Sequence, residues 1–244
     1  MHRPHWPRKR SARRIRARTL LDFLGGEDEG DHERPGAAQP LEHRANTYSH
    51  YGNYVDKDSL HAALVPDQRG LCCYCMTRVE ATARAMTIEH WRCQPRNPDL
   101  DLSYSLLLAA CLGRHGQPNA LQHRDTQKGE QDLKFGPADP VHRVEQRVRF
   151  ELDGTIASSD DEFDTQLDDV LNLNLRLLKN RRENVLTAIL DWWRSEKAHL
   201  KGPVPNERLA RERARRVGGG AGHLRPFDPV AVWWLDQYLA RNAS

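Results

Sequence analysis

The 244-residue chain is 38% hydrophobic and 29% charged, which suits one globular fold with a very polar surface and leaves little room for two full domains. Its longest apolar run, residues 106–112, is far too short to span a bilayer, and arginines stand where a signal peptide would have its apolar segment, so a cytoplasmic protein with no membrane association is expected. A formal charge of +3 and a pI near 8.6 fall short of the overall charge of a strong nucleic-acid binder, and the distribution of that charge says more than its total.

Residues 1–18 carry Arg3, Arg8, Lys9, Arg10, Arg13, Arg14, Arg16 and Arg18 without an acid. Such a block can follow phosphates, or it can serve as a solvated tail. Residues 25–36 reverse the sign with Glu27, Asp28, Glu29, Asp31 and Glu33 among Gly and Pro, the composition of an exposed linker. Residues 1–57 thus read as a basic arm and acidic linker, 58–136 as a compact core, and 137–244 as a hairpin followed by a mainly helical region.

The spacing of Leu60, Ala63 and Leu64 predicts a short helix over 56–64, with Ser59 as its N-cap. All five cysteines follow within residues 72–111. That odd, clustered set is unlike a secreted disulfide framework and points to metal. Cys72 and Cys75 form a Cys-x-x-Cys pair, a spacing that lets two thiolates reach one tetrahedral zinc from a tight turn, with Cys73 directed elsewhere. Cys111 is the natural third ligand, with His115 and then His123 further on. A redox use of the pair wants an adjoining strand-helix-strand pattern, which is not seen.

Between the cysteines lie Glu89 and His90. Neighbours on a strand point to opposite faces, yet at a strand end they can serve one site, the carboxylate holding a divalent cation and the imidazole taking a proton from water. Residues 97–102 and 113–120 read as loops and 106–110 as a buried piece. Alternation on either side of Asp153-Gly154 predicts a hairpin. Residues 163–200 carry two apolar faces, Leu167, Val170, Leu171 and Leu175, then Val185, Leu186, Ile189, Leu190 and Trp193, with Lys179, Arg181 and Arg182 between them. Two helices or one broken helix would fit. The basic run at 208–216 is read first as a solvated helix face, ended by Gly218, Gly219 and Gly220. A last helix over 229–240 places Val232, Leu235, Tyr238 and Leu239 to pack back on the body.

Cys72-x-Tyr74-Cys75, Ile88-Glu89-His90-Trp91, the apolar run ending in Cys111 and Gln122-His123-x-Asp125-x-x-Lys128-Gly129, in this order, resemble the HNH endonuclease family. The closer likeness is to the branch that includes the nuclease subunit of the Septu and retron-associated anti-phage systems. Leu60 and Leu64, the Asp153-Gly154 hairpin, and Leu171-Asn172-Leu173-Asn174 before a basic helix are also similar to that branch. The resemblance implies an α+β fold: a small zinc-stabilised ββα-metal core with a flanking hairpin and a mainly helical C-terminal layer. It implies hydrolysis of DNA in defence against phage, under the control of an ATPase partner. His90 would be the general base, Glu89 and Asp125 the ligands of a catalytic Mg²⁺ or Mn²⁺, and Lys128 with Arg124 the contacts to nucleic acid. A separate structural Zn²⁺ would be held by Cys72, Cys75, Cys111 and a fourth ligand. Arg124 stands where the family has a fourth cysteine, so that ligand falls to His123, then His115 or Cys93. Leu106 stands where the family has an asparagine that steadies the loop carrying the base, with Ser105 beside it. The same residues also suit a zinc-stabilised module that binds nucleic acid or a partner and cleaves nothing.

Overall fold

The computed structural model describes residues 51–123, Lys128, 131–218 and 222–243. The basic arm, the acidic linker, Arg124 and Asp125 lie outside the described residues. A first helix, α1 (Lys57–Asp67), begins where the Asp56 carboxylate accepts from the Ser59 amide. The cap is therefore Asp56, and Ser59 supplies the donor. Its buried face is Leu60, His61, Leu64 and Val65, with Ala63 exposed. The chain then makes the cysteine turn and enters β1 (Met86–His90), which pairs antiparallel with β2 (Leu107–Cys111) from Met86 opposite Cys111 to His90 opposite Leu107. The apolar run expected to be buried is this second strand. Leu107 to Ala110 are all at most 1% exposed, which suits a strand covered on both faces.

The remainder forms the outer layer. A single helical turn, α2 (Val144–Arg147), leads into β3 (Val148–Phe150), which pairs with β4 (Ile156–Ser158) across the expected Asp153-Gly154 turn. Next comes α3 (Asp161–Thr165), capped by the Asp160 side chain and running on into a wider π turn at Gln166–Val170. The long helix α4 (Arg176–Ala198) follows, so the region expected as two helices or one broken helix is two. Its core face is Leu178, Arg182, Leu186 and Ile189. Arg182 is thus buried among the leucines, contrary to the reading that put it with the basic residues between the two faces.

Helices α5 (Asn206–Val217) and α6 (Asp228–Ala243) pack on each other and close the fold. Val232 and Leu235 are fully buried and Tyr238 and Leu239 pack at the edge, as expected of the last helix. The basic run on α5 is largely matched by acids. Arg208 meets Glu196, Arg213 meets Asp236, Arg215 meets Glu212, and Arg216 meets both Glu212 and Asp228. These pairs tie α5 to α4 and α6 and reduce its free positive charge. Among the described residues the architecture is α+β, with two small antiparallel sheets in a helical setting. Residues from both sides of position 136 share the main core, from Leu60 to Val230. No helix among the described residues is long and apolar enough to cross a membrane.

Gly154 is the residue on which the outer hairpin turns. Its φ is +79°, and a Cβ there would lie 2.1 Å from the Lys179 carbonyl oxygen on α4. Both the left-handed backbone and the close approach demand glycine. Gly154→Ala is expected to cost at least about 2 kcal/mol, from backbone strain and from the forced separation of hairpin and helix. Chemical denaturation followed by circular dichroism would measure it, and a change under about 0.5 kcal/mol would show that the turn is free to move.

Candidate functional site

The cysteine turn is built from both sides. The Cys72 amide donates to the Thr77 carbonyl and the Val79 amide to the Gly70 carbonyl, and Leu71 bridges to Arg78. Met76 closes the turn with φ 62°, the left-handed conformation. A buried side-chain amide holds this turn to the hairpin. Gln68 Nε2 donates to the carbonyls of Leu71 and Ala109, while the Ala109 amide donates to Gln68 Oε1 at 2.6 Å. One carboxamide thus takes the place of a strand partner on β2 and satisfies three buried backbone groups.

The outcome is a thiol cluster. The sulfurs of Cys72, Cys75 and Cys111 all lie within 4.8 Å of one another, with Cys75 Sγ 3.5 Å from Cys111 Sγ. His123, buried, brings Nε2 to 3.6 Å from Cys111 Sγ. Ligands around a tetrahedral zinc, with metal–sulfur bonds near 2.3 Å and metal–nitrogen bonds near 2.0 Å, stand roughly 3.5–3.8 Å apart, so the Cys75–Cys111 and Cys111–His123 separations suit such an ion, while His123 stays outside the set whose ligand atoms all lie within 4.8 Å of one another. The thiols themselves are electrostatically uneven. Burial pushes the Cys75 thiol well up, reinforced by Cys111 and Cys72. At Cys72 burial is outweighed by hydrogen bonds from Cys111, Cys73 and Cys75, which hold that thiol well down.

The other candidates stand apart. Cys73 is outside the cluster and lines an apolar cavity with Leu133, Phe135 and Phe163. Cys93 is buried elsewhere, its amide bonded to Asp132, and His115 is exposed. The segment that carries His123 is clamped from the outer layer, where Asn172 Nδ2 donates to the Gln122 carbonyl at 2.7 Å and to the Ala120 carbonyl at 3.3 Å.

Glu89 and His90 sit at the far end of β1 and meet different partners, as strand alternation requires. Glu89 Oε1, buried, accepts from Lys128 Nζ at 2.8 Å and from the Tyr74 hydroxyl at 3.0 Å. Burial pushes the Tyr74 phenol well up, and the Glu89 charge adds to this. Lys128 also donates to the His90 carbonyl at 3.0 Å and is 3% exposed. The side chain expected to meet phosphate is thus engaged with the expected metal ligand. His90 Nε2 lies 2.8 Å from the carbonyl oxygen of Asp101. A carbonyl only accepts, so Nε2 carries the proton and Nδ1 keeps its lone pair in the neutral ring. Burial pulls the His90 pKa down, against the Asp101 carbonyl and the Glu89 charge, which act the other way. Tyr51 packs edge-on against the imidazole at 4.8 Å, and its amide is bonded to the Asp101 carboxylate. At Leu106 only the backbone takes part, its carbonyl accepting from the Trp91 amide at 3.4 Å, and the Ser105 hydroxyl pairs with Ser103.

Among the described residues, the thiol set is the one cluster of three potential metal ligands. The hard-cation site expected around Glu89 and Asp125 has one described carboxylate, and its Oε1 is already shared by Lys128 and Tyr74. Sequence reasoning passed over Gln68 and Asp101 and gave no role to Tyr74 and Asn172, which it named only within motifs. Tyr74, between two cysteines and upstream of a lone Glu, offered a faint signal; Asp101 acts through its backbone and offered none.

If the thiol cluster holds a structural metal, the purified protein should carry about one zinc per chain. Removal by a strong chelator should then lower the melting temperature by more than about 5 °C. Cys111→Ser should lose both the metal and that response. Metal analysis and differential scanning fluorimetry would decide, and a chelator-insensitive, zinc-free protein would leave the thiols as plain core residues.

No family model matches the chain, and a search of curated proteins finds no match either.

Proposed function

We propose that the chain is a metal-dependent endonuclease of the HNH type, which hydrolyses DNA phosphodiester bonds as the cytoplasmic effector of an anti-phage defence system controlled by an ATPase partner. The observation that carries this reading is the state of His90. Its Nε2–H is bound to the Asp101 carbonyl, its pKa is lowered by burial, and its Nδ1 is left as a base at neutral pH. That is the condition a general base needs to take a proton from water. Asp101 then does what Leu106 has no side-chain polar group to do: it steadies the loop beside the base.

Further support comes from placement. Cys111 ends β2 and the Glu-His pair ends β1 of one antiparallel pair, with Cys72 and Cys75 on the turn before it, in the motif order that resembles the HNH family. Glu89 and Asp125 are the carboxylates assigned to Mg²⁺ or Mn²⁺, which when bound would stabilise charge on the phosphate and the leaving oxygen. Cys72, Cys75, Cys111 and His123 are assigned to Zn²⁺. For contacts to DNA, the basic arm and Arg124 are better placed by charge than the matched arginines of α5, and Lys128 is held at Glu89.

A second reading is favoured by one observation. With Lys128 on Glu89 the pair is already neutralised, as in a zinc-stabilised module that binds nucleic acid or a partner without cleaving.

Plasmid nicking with Mg²⁺ or Mn²⁺, by the chain together with its ATPase partner, separates the two. Cleavage that falls by at least about 100-fold in His90→Ala is expected of the nuclease. Equal cleavage by both proteins would remove His90 from the mechanism. DNA binding that weakens steeply with salt and no cleavage under any divalent cation would establish the module. The pH profile gives a further check. Because the His90 pKa is lowered, the base stays unprotonated to lower pH, so the acid limb of kcat/KM should fall below about pH 6.5, the ordinary histidine value. An acid limb above that value would point to a different base.

A further inference from the structure

Glu89 carries its charge inside the fold. Its side chain and that of Lys128 are 5% and 3% exposed, and Lys128 Nζ stands 2.8 Å from Glu89 Oε1. The same ammonium donates to the His90 carbonyl at 3.0 Å. A carboxylate oxygen and a backbone carbonyl, from consecutive residues at the end of β1, thus converge on one positive charge. Oxygens of these two kinds are what a hard divalent cation takes as ligands. The Tyr74 hydroxyl adds a neutral donor to the same Oε1 at 3.0 Å.

This contact resists removal unless another cation replaces it. A hydrogen bond between buried ions is strong, and taking away either ion strands the other. Nor does a divalent cation simply join the pair. On Glu89 it would stand beside the ammonium, like charge against like charge, where little water screens them. Among the described residues Glu89 belongs to no cluster of three potential metal ligands whose charge could offset that repulsion.

We propose that Glu89 Oε1 and the His90 carbonyl form a cation site that the Lys128 ammonium fills from within, so that Lys128 must leave before Glu89 takes a divalent cation. The structure is the closed state of this site. Exchange of one cation for the other keeps the buried carboxylate matched in both states, and the neutral Tyr74 hydroxyl can stay in place throughout. The inference rests on the assignment of Glu89 to a hard cation made above, and adds the contact that controls access to it.

Mn²⁺ binding by the full chain, followed through the paramagnetic resonance of the free ion, tests this without any cleavage. Lys128→Met removes the charge at similar side-chain length and should tighten Mn²⁺ binding at least about tenfold, since apparent affinity scales with the fraction of the site that is open. Adding Glu89→Gln to Lys128→Met should abolish the gain. An unchanged affinity in Lys128→Met, or a gain that survives Glu89→Gln, overturns the proposal. Should Lys128→Met not fold, the wild type decides through acylation of its lysine amines, read by mass spectrometry. Lys128 should react at least about tenfold more slowly than Lys201, which is exposed, and Mn²⁺ should speed Lys128 at least about threefold without affecting Lys201. A Lys128 rate that Mn²⁺ leaves unchanged would sink the idea. Plasmid nicking remains a separate reading. Cleavage with no gain of Mn²⁺ affinity in Lys128→Met removes the exchange and leaves the nuclease standing, whereas a gain without cleavage upholds the exchange in a module that does not cut.

Discussion

The five-residue antiparallel pairing of β1 with β2 is the constraint from which the rest follows. Its register puts Cys111 opposite Met86 at one end and His90 opposite Leu107 at the other. At about 3.4 Å per residue the two ends are about 14 Å apart. A soft thiol cluster and a Glu-His pair can therefore share one small sheet without sharing ligands. A register slip of one residue would turn every side chain to the wrong face and dismantle both sites at once.

A two-stranded sheet is not stable alone, and the surrounding chain compensates through polar side chains that imitate backbone. Gln68 binds Ala109 in both directions and reaches Leu71, joining α1, the cysteine turn and β2. Asn174 does the same for the outer hairpin, bonding the amide and the carbonyl of Ile156. Asn172 reaches back to the segment before His123, and Arg182 ties the turn at Gly154 to the loop at Leu173. The helical layer thus acts as a clamp on the core that carries the thiol cluster, in addition to covering it with apolar surface.

At the Glu-His end, charge is balanced internally. Lys128 and Tyr74 share one oxygen of Glu89, and the same lysine holds the His90 carbonyl. Breaking that buried pair from either side would strand a charge, which is far costlier than losing an exposed pair. The imidazole of His90 is fixed by a different route, through a backbone carbonyl, so its tautomer does not depend on the state of Glu89.

Local pattern carried a good share of this. Cys-x-x-Cys spacing and the later Cys111 mark the thiol cluster, because two ligands on one tight turn need only a third from a neighbouring strand. Asp153-Gly154 marks the hairpin, because only glycine tolerates that backbone and that proximity to α4. Apolar periodicity marks the last helix, whose core face is where the spacing puts it. Tertiary structure decided what depends on partners distant in the chain. Periodicity cannot show that Arg182 faces inward, since its hydrogen bonds go to carbonyls of a loop and a turn that only the fold brings near. Nor does any residue type announce that a backbone carbonyl at Asp101 sets the His90 tautomer, or that Lys128 belongs to Glu89. Spacing along the chain determines which groups can meet within one turn or one strand, while long-range packing determines which of them are buried, and burial sets both the charge a group can keep and the partner it must find.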